Sequence, residues 1–206
     1  MKLLIRDDYF DGVDEIRNTA LNLDYTCSED VVIDVGWRGY RTEELDSFSN
    51  QFFDDIAEEV KNDVATFFEV DQNAYSITSY FHIAYNRTVH TRENFYTTKY
   101  HTDPQAEFAG VVYLHPNPPN PENTGTSILD GFNNKMINVK NVYNRLVAYR
   151  SDQIHAPSNL FGEVPEDGRL TFTFFMDKNW TWEPNNVIET SGARSERYHV
   201  GLQRPF

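Results

Sequence analysis

The order of two hydrophobic patterns constrains the fold of this chain more than any other feature of the sequence. In the first seventy of its 206 residues apolar side chains recur at helical spacing, whereas later segments alternate as strands do. Asp11 can cap a first helix, whose apolar positions are Val13, Ile16, Ala20 and Leu23. A stronger helix is predicted from about Ser49 to Val70, with an apolar stripe formed by Phe52, Phe53, Ile56, Val60, Val64, Phe67 and Phe68.

Strand patterns dominate the rest of the chain. One strand is predicted at 31–35, between the two helices, and a proline-rich loop is predicted at 116–125. The other predicted strands lie at 76–85, 99–103, 108–114, 126–129, 137–142, 145–150 and 169–176. Helices followed by a run of antiparallel strands predict an α+β fold, in which the helices back a sandwich or a barrel.

The length of 206 residues favours a single domain with a sizeable core. We expect it to consist of a mainly helical support at 1–73, a β core at 74–178 and a C-terminal extension at 179–206. The formal charge of −14 argues against nucleic acid and anionic membrane surfaces as partners, because both are bound through clustered Lys and Arg. The partners expected are therefore a protein, a peptide or a small-molecule substrate.

Localisation is predicted from what the sequence lacks. The only cysteine, Cys27, cannot form an internal disulfide, so an oxidising compartment is not required. The apolar run near the start is too short for the core of a signal peptide, and no run approaches the roughly 20 residues of a membrane span. We expect a soluble cytoplasmic protein.

A His-x-Asp motif, His101 and Asp103, is the first candidate for chemistry. Residues two apart on a strand point to the same side, so one short stretch can supply two metal ligands. Two histidines and one carboxylate can hold one face of an Fe(II) ion and leave the other face open. His155 is the preferred third ligand, because it follows the strand at 145–150 and precedes Arg169 by one hairpin. A lone histidine is more often structural than a ligand, and this alternative applies to each motif taken alone.

The strand at 169–176 has one polar and one apolar face. Period-two sorting places Arg169, Thr171, Thr173 and Phe175 on one face and Leu170, Phe172, Phe174 and Met176 on the other. The plain interpretation is a strand with one solvated face. If the polar face instead points into a barrel, Arg169 needs an anionic partner, because an unpaired buried guanidinium costs several kcal/mol. A carboxylate bound in bidentate fashion would supply that partner.

Taken in order along the strands, these residues resemble the Fe(II)- and 2-oxoglutarate-dependent dioxygenases, especially their prolyl-4-hydroxylase-like branch. The resemblance covers residues 75–178 and implies a double-stranded β-helix, or jelly-roll, barrel backed by N-terminal helices. It implies that the metal ligands are His101, Asp103 and His155. It also implies that the residues binding 2-oxoglutarate are Arg169, Tyr113, Thr173 and, by the loosest match, Tyr85.

The same resemblance implies an activity. The expected enzyme is a dioxygenase that uses Fe(II), 2-oxoglutarate and O2, with ascorbate as an optional reductant. It would hydroxylate a substrate C–H bond and release succinate and CO2. A protein or peptide side chain, with proline as the first candidate, is preferred as substrate over a nucleic-acid base; a free amino acid or another metabolite fits nearly as well.

Two other classes of function remain open. A non-catalytic jelly-roll binding module would keep the barrel without its chemistry, although all three ligands are present. A cupin-like metalloenzyme would use the metal without 2-oxoglutarate, and would leave Arg169 without an anion.

Overall fold

The computed structural model describes residues 1–28, 30, 39–85 and 100–179. The predicted strand at 31–35 and nearly all of the predicted C-terminal extension lie outside the described residues. Neither of the two described α-helices combines the length and the apolarity that crossing a membrane requires.

Two α-helices, ten strands and four short 3-10 helices make up the described regular structure. The α-helices are α1 (Val13–Leu21) and α2 (Gln51–Phe68). The first five strands are β1 (Leu3–Arg6), β2 (Thr26–Cys27), β3 (Tyr40–Arg41), β4 (Tyr75–Ala84) and β5 (Phe108–Tyr113). The last five are β6 (Thr126–Asp130), β7 (Lys135–Val139), β8 (Leu146–Arg150), β9 (His155–Pro157) and β10 (Arg169–Lys178).

The helix ends differ in how well the sequence predicted them. Asn50 caps α2, since its side chain accepts a hydrogen bond from the backbone N–H of Phe52 at 3.1 Å. The prediction of Asp11 as the cap of α1 is wrong. Gly12 occupies that position with a φ of 74°, in the left-handed region that glycine adopts without steric cost. Because the chain enters α1 through this turn, no side-chain cap is formed there.

The strands form two antiparallel sheets. The major sheet has seven strands in the order β1-β8-β5-β10-β4-β3-β2, and the minor sheet has three in the order β7-β6-β9. β1, which the sequence patterns did not predict, pairs with β8 at the edge of the major sheet. The predicted strand at 99–103 is described from residue 100 onward, and within 100–103 only His101 makes a strand-like bridge, to His155. The segment therefore extends the minor sheet by one residue rather than forming a full strand.

Each face of the major sheet has its own core. On one face α1 and α2 pack against β4, β5 and β10; the rings of Phe53 and Phe81, for example, lie 6.0 Å apart. On the other face the two sheets pack together, and Ile128 and Val139 of the minor sheet meet Val111 and Val147 of the major sheet. The inner surface between the sheets is where the polar face of β10 lies.

Candidate metal centre and anion pocket

Main-chain pairing brings the two candidate histidine ligands together. The N–H of His101 donates to the carbonyl of His155 at 3.0 Å, and the N–H of His155 donates back at 2.9 Å. Their imidazole rings consequently lie 4.4 Å apart, centroid to centroid. His101 and His155 are far apart in the sequence, and backbone hydrogen bonds hold them side by side. Their proximity therefore does not depend on side-chain packing alone.

Asp103 completes a three-donor cluster. Its N–H donates to the carbonyl of Ser151 at 2.9 Å, which fixes the residue beside the end of β8. One carboxylate oxygen lies 3.2 Å from Nε2 of His155, and the other lies 3.8 Å from Nε2 of His101. All three donor atoms fall within 4.8 Å of one another. Two imidazole nitrogens and one carboxylate oxygen are the donor set of the non-haem Fe(II) facial triad, so the residues fit that ion.

The orientation of His155 is suited to metal binding. The side chain is 4% exposed, and its Nδ1 lies 2.9 Å from the carbonyl oxygen of Gln153. A carbonyl can only accept, so Nδ1 is the donor of this contact, and Nε2, on the side of Asp103, is the nitrogen left to bind a metal. A hydrogen bond of this kind from a ligating imidazole to a carbonyl fixes the ring and raises its basicity.

The two faces of β10 are as the sequence predicted. Leu170, Phe172, Phe174 and Met176 belong to the helix-side core, whereas Arg169, Thr171 and Thr173 are buried on the inner surface. In the register of the sheet, Thr171 pairs with Tyr113 of β5. Directly paired residues of antiparallel strands share a face, so Tyr113 points into the same interior as β10's polar side chains.

Arg169 and Tyr113 form an anion pocket with Thr126. Arg169 is 5% exposed, and its guanidinium lies 5.3 Å from the ring centroid of Tyr113 and donates to Oγ1 of Thr126 at 3.4 Å. The hydroxyl groups of Tyr113 and Thr126 lie 2.7 Å apart. Nε of Arg169 has no hydrogen-bond partner among the described residues. A buried guanidinium whose Nε is unpartnered fits a bound carboxylate, which would meet that donor.

Burial and charge act in opposite directions on the phenol of Tyr113. Burial raises its pKa, whereas Arg169 and the hydroxyl of Thr126 lower it. Burial is the larger effect, so the phenol is protonated and can donate a hydrogen bond to an anion.

Thr173 and Tyr85, the other two predicted co-substrate residues, are placed differently. Thr173 lies on the inner surface, and its hydroxyl is 3.1 Å from that of Thr171. Tyr85 lies in the helix-side core instead, with its ring stacked on Tyr40 at 5.7 Å. The structure thus does not bring Tyr85 together with Arg169.

Tyr149 is a site residue that the sequence reasoning missed. Its ring packs 4.7 Å from that of His155, centroid to centroid. Burial raises the pKa of Tyr149 well above its usual value; Asp103 and Tyr113 also raise it, and Arg169 lowers it. The phenol is therefore within electrostatic reach of both the metal donors and the anion pocket. The only signal in the sequence was period-two alternation with Val147, which marks Tyr149 as inward-facing but does not name a partner.

Comparisons with known proteins match the chain by structure and not by sequence. No protein-family model matches it, and no curated protein matches it. A prolyl-4-hydroxylase from Pseudomonas putida superposes with a TM-score of 0.55 at 11% identity, over 87% of this chain and 94% of that one. An oxidoreductase of the 2OG-Fe(II) oxygenase family from Burkholderia pseudomallei gives 0.59 at 12% identity, over 86% of each chain. HygX from Streptomyces hygroscopicus, solved with nickel and 2-oxoglutarate bound, gives 0.57 at 13% identity, over 87% and 84%.

At such low identity these likenesses concern the fold. They cover nearly all of each partner chain, so the similarity extends over whole molecules rather than over one motif. The chain has the jelly-roll fold of the 2-oxoglutarate- and iron-dependent oxygenases, including those of the prolyl-4-hydroxylase kind.

Proposed function

We propose that this protein is an Fe(II)- and 2-oxoglutarate-dependent dioxygenase that hydroxylates a C–H bond of its substrate. One observation carries the proposal: the inner surface that presents the donors of His101, Asp103 and His155 also holds the buried, under-satisfied guanidinium of Arg169. A metal site and a carboxylate site in one interior match a co-substrate with a keto acid at one end and a carboxylate at the other. We also propose that the two sheets close into a barrel, with α1 and α2 supporting it.

Each residue has a definite part in this reaction. His101, Asp103 and His155 would hold Fe(II) on one face, and bound iron with 2-oxoglutarate supplies the oxidising power. Arg169 and Tyr113 would fix the distal carboxylate, with Thr126 orienting both. One oxygen atom of O2 enters the substrate as a hydroxyl group and the other enters succinate, while the co-substrate loses CO2.

The substrate is the less constrained part of the proposal. We favour a protein or peptide side chain, with a prolyl residue as first candidate, and the fold likeness to a prolyl-4-hydroxylase supports this choice. A small molecule is the main rival, since HygX has also been solved with hygromycin B bound. The charge of −14 disfavours a nucleic-acid substrate.

The first test is an anaerobic titration of the protein with Fe(II) and 2-oxoglutarate, followed by visible absorption. We expect the weak charge-transfer band of the chelate in the wild type and its loss in His155→Ala, because that variant lacks one of three metal donors. Absence of the band in the wild type would contradict the proposal.

The same titration separates the alternatives. A cupin-like metalloenzyme would bind Fe(II) without developing the band, and a non-catalytic jelly-roll module would bind neither ligand. The position of Arg169 argues against both, because each leaves a buried cation without an anion.

A further inference from the structure

The phenol of Tyr149 lies in the interior between the two sheets, beside His155. In the register of the major sheet, Tyr149 of β8 pairs with Leu3 of β1 and with Ala109 of β5, and its side chain belongs to the core that the two sheets share. Its ring centroid lies 4.7 Å from that of His155, and the two rings are inclined by 52°. Tyr149 is 4% exposed, so its hydroxyl group is within reach only of a molecule that enters this interior.

The hydroxyl of Tyr149 differs from four other hydroxyls of the same interior, which are paired with one another. Those of Tyr113 and Thr126 lie 2.7 Å apart, and those of Thr171 and Thr173 lie 3.1 Å apart. The hydroxyl of Tyr149 makes no hydrogen bond to any residue that the structure describes. Because buried hydroxyl groups are nearly always paired in folded proteins, this one is available to a bound molecule.

The surroundings of Tyr149 make its phenol a hydrogen-bond donor. Burial is the largest effect and raises its pKa well above the usual value; Asp103 and Tyr113 raise it further, and Arg169 lowers it. The phenol therefore carries its proton at neutral pH and donates to an anion. Asp103 is a metal donor, whereas Tyr113 and Arg169 belong to the anion pocket, so the phenol lies within electrostatic reach of both sites.

The positions of the two sites decide which part of 2-oxoglutarate the phenol can meet. With the distal carboxylate at Arg169 and Tyr113, the keto acid lies at the metal donors, and two methylene groups lie between the two ends. Methylene groups accept no hydrogen bonds. A donor packed beside His155 can therefore pair only with an oxygen of the keto acid.

The exposure of the two histidines separates the side of the co-substrate from the side of the substrate. The side chain of His101 is 41% exposed, whereas that of His155 is 6% exposed. A substrate that arrives from solvent meets the side of His101 first. Tyr149 lies on the closed side with His155, where an enclosed co-substrate is its expected partner.

We propose that Tyr149 binds the keto-acid end of 2-oxoglutarate, by donating a hydrogen bond from its hydroxyl to one of the keto-acid oxygens. This inference rests on the proposed function and deepens it. A buried tyrosine would then hold each end of the co-substrate: Tyr113 the distal carboxylate and Tyr149 the metal-binding end. The hydrogen bond from Tyr149 would fix the orientation in which the keto acid meets the metal.

The test is an anaerobic titration of the full chain with Fe(II) and 2-oxoglutarate, in which two quantities are read from one sample. The growth of the visible charge-transfer band gives the affinity for 2-oxoglutarate, and the wavelength of the band reports on the surroundings of the keto acid. The transition moves an electron from the metal to the keto acid, so a hydrogen bond to that group lowers the transition energy. Neither quantity requires turnover or a known substrate.

The variants are Tyr149→Phe, Tyr113→Phe and the matched control Tyr75→Phe. Tyr75 is also a tyrosine of the major sheet, but its ring lies in the helix-side core and its hydroxyl donates to Glu107 at 2.7 Å. We expect Tyr149→Phe to move the band to shorter wavelength and to weaken 2-oxoglutarate binding by about 5- to 10-fold, as the loss of one hydrogen bond implies. Tyr113→Phe should weaken binding without moving the band, because it serves the distal carboxylate. Tyr75→Phe should change neither quantity.

A stability measurement separates a role in binding from a role in the fold. Since the hydroxyl of Tyr149 has no partner among the described residues, Tyr149→Phe without added metal should melt at the temperature of the wild type. Tyr75→Phe should melt at a lower temperature, because it loses the hydrogen bond to Glu107. The affinity of Tyr149→Phe for Fe(II) alone should equal that of the wild type.

Several results would overturn the inference and leave the proposed function standing. They are a band of unchanged wavelength in Tyr149→Phe, a shift of the same size in Tyr113→Phe, and a lower melting temperature of Tyr149→Phe without added metal. A loss of affinity for Fe(II) alone in Tyr149→Phe would also overturn it, because the phenol would then support the metal donors. Absence of the band in the wild type would instead be a failure of the proposed function.

Discussion

At the scale of single residues, Arg169 carries the co-substrate part of the proposed function. Arg169 is buried, its contact to Thr126 is long at 3.4 Å, and its Nε has no hydrogen-bond partner among the described residues. Such an arrangement is costly for the protein by itself and becomes favourable when an anion fills the pocket. The role of Arg169 can therefore be tested through the affinity of the protein for 2-oxoglutarate.

We expect Arg169→Gln to weaken 2-oxoglutarate binding by about 10- to 100-fold, because a bidentate charge-assisted contact is lost. The affinity for Fe(II) should change little, since His101, Asp103 and His155 are untouched. Isothermal titration with each ligand in turn measures both quantities. Arg150→Gln serves as the control, because Arg150 is an exposed arginine of the major sheet that pairs with Glu107 and Asp152. An equal effect of both substitutions on the affinity for 2-oxoglutarate would contradict the role assigned to Arg169.

Sequence reasoning reached the metal donors but only part of their surroundings. His101, Asp103 and His155 could be predicted because spacing and chain order are written in the sequence. Thr126 and Tyr149 could not be assigned roles, since their contacts depend on the register between strands. The prediction that Tyr85 helps to bind 2-oxoglutarate rested on the loosest match in the sequence, and its ring lies in the helix-side core of the major sheet.

At the scale of elements, close packing between β5, β8 and β10 depends on Gly110. A Cβ at this position would lie 2.2 Å from the backbone oxygen of Val147 and 2.5 Å from the ring of Phe174. Neither neighbour is the end of a flexible chain, so a methyl group would push the central strands of the major sheet apart. The glycine is required here for space rather than for an unusual backbone conformation.

We expect Gly110→Ala to lower the free energy of unfolding by about 1–3 kcal/mol, the usual cost of overpacking a core. Urea denaturation followed by circular dichroism measures it. Gly131→Ala is the matched control, because nothing lies within 4 Å of a Cβ at that position. Similar stability of the two variants would contradict the packing argument.

The longest elements were predictable from sequence, and the two-residue strands were not. The stripe of α2 and the alternation of β10 extend over enough residues for their periodicity to be read. β2 and β3 have two residues each, and they exist because they pair at the edge of the major sheet. β7 begins at Lys135, before the strand predicted at 137–142, because its limits are set by pairing with β6.

At the scale of the whole molecule, ion pairs join distant parts of this acidic chain. Arg145, just before β8, donates to both carboxylate oxygens of Asp7, which follows β1; the contact from its NH2 group is 2.8 Å. The hydrogen bond from Arg145 lowers the pKa of Asp7 below its usual value. A carboxylate whose pKa is lower in the folded state stabilises that state above the unfolded pKa, and the effect disappears as the pH falls through the folded value.

We expect Asp7→Asn to lower the melting temperature at pH 7, and this effect to shrink as the pH falls through the folded pKa of Asp7, where the wild-type carboxylate itself becomes protonated. Since Asp7 is largely exposed, the stabilisation is below about 1 kcal/mol at low salt. Thermal unfolding at several pH values measures the difference between the two proteins. A difference that stays constant with pH would show that the ion pair is not its source.

The main-chain bridge between His101 and His155 has a consequence for metal loading of the proposed site. Two backbone hydrogen bonds set the spacing of the imidazoles, so the act of folding does not select one ion over another. Nickel, copper and zinc bind nitrogen and oxygen donors at least as tightly as ferrous iron does. If the site is the proposed iron centre, its occupancy will follow the supply of transition metals, and mismetallation in an iron-poor cell would abolish the proposed activity without unfolding the protein.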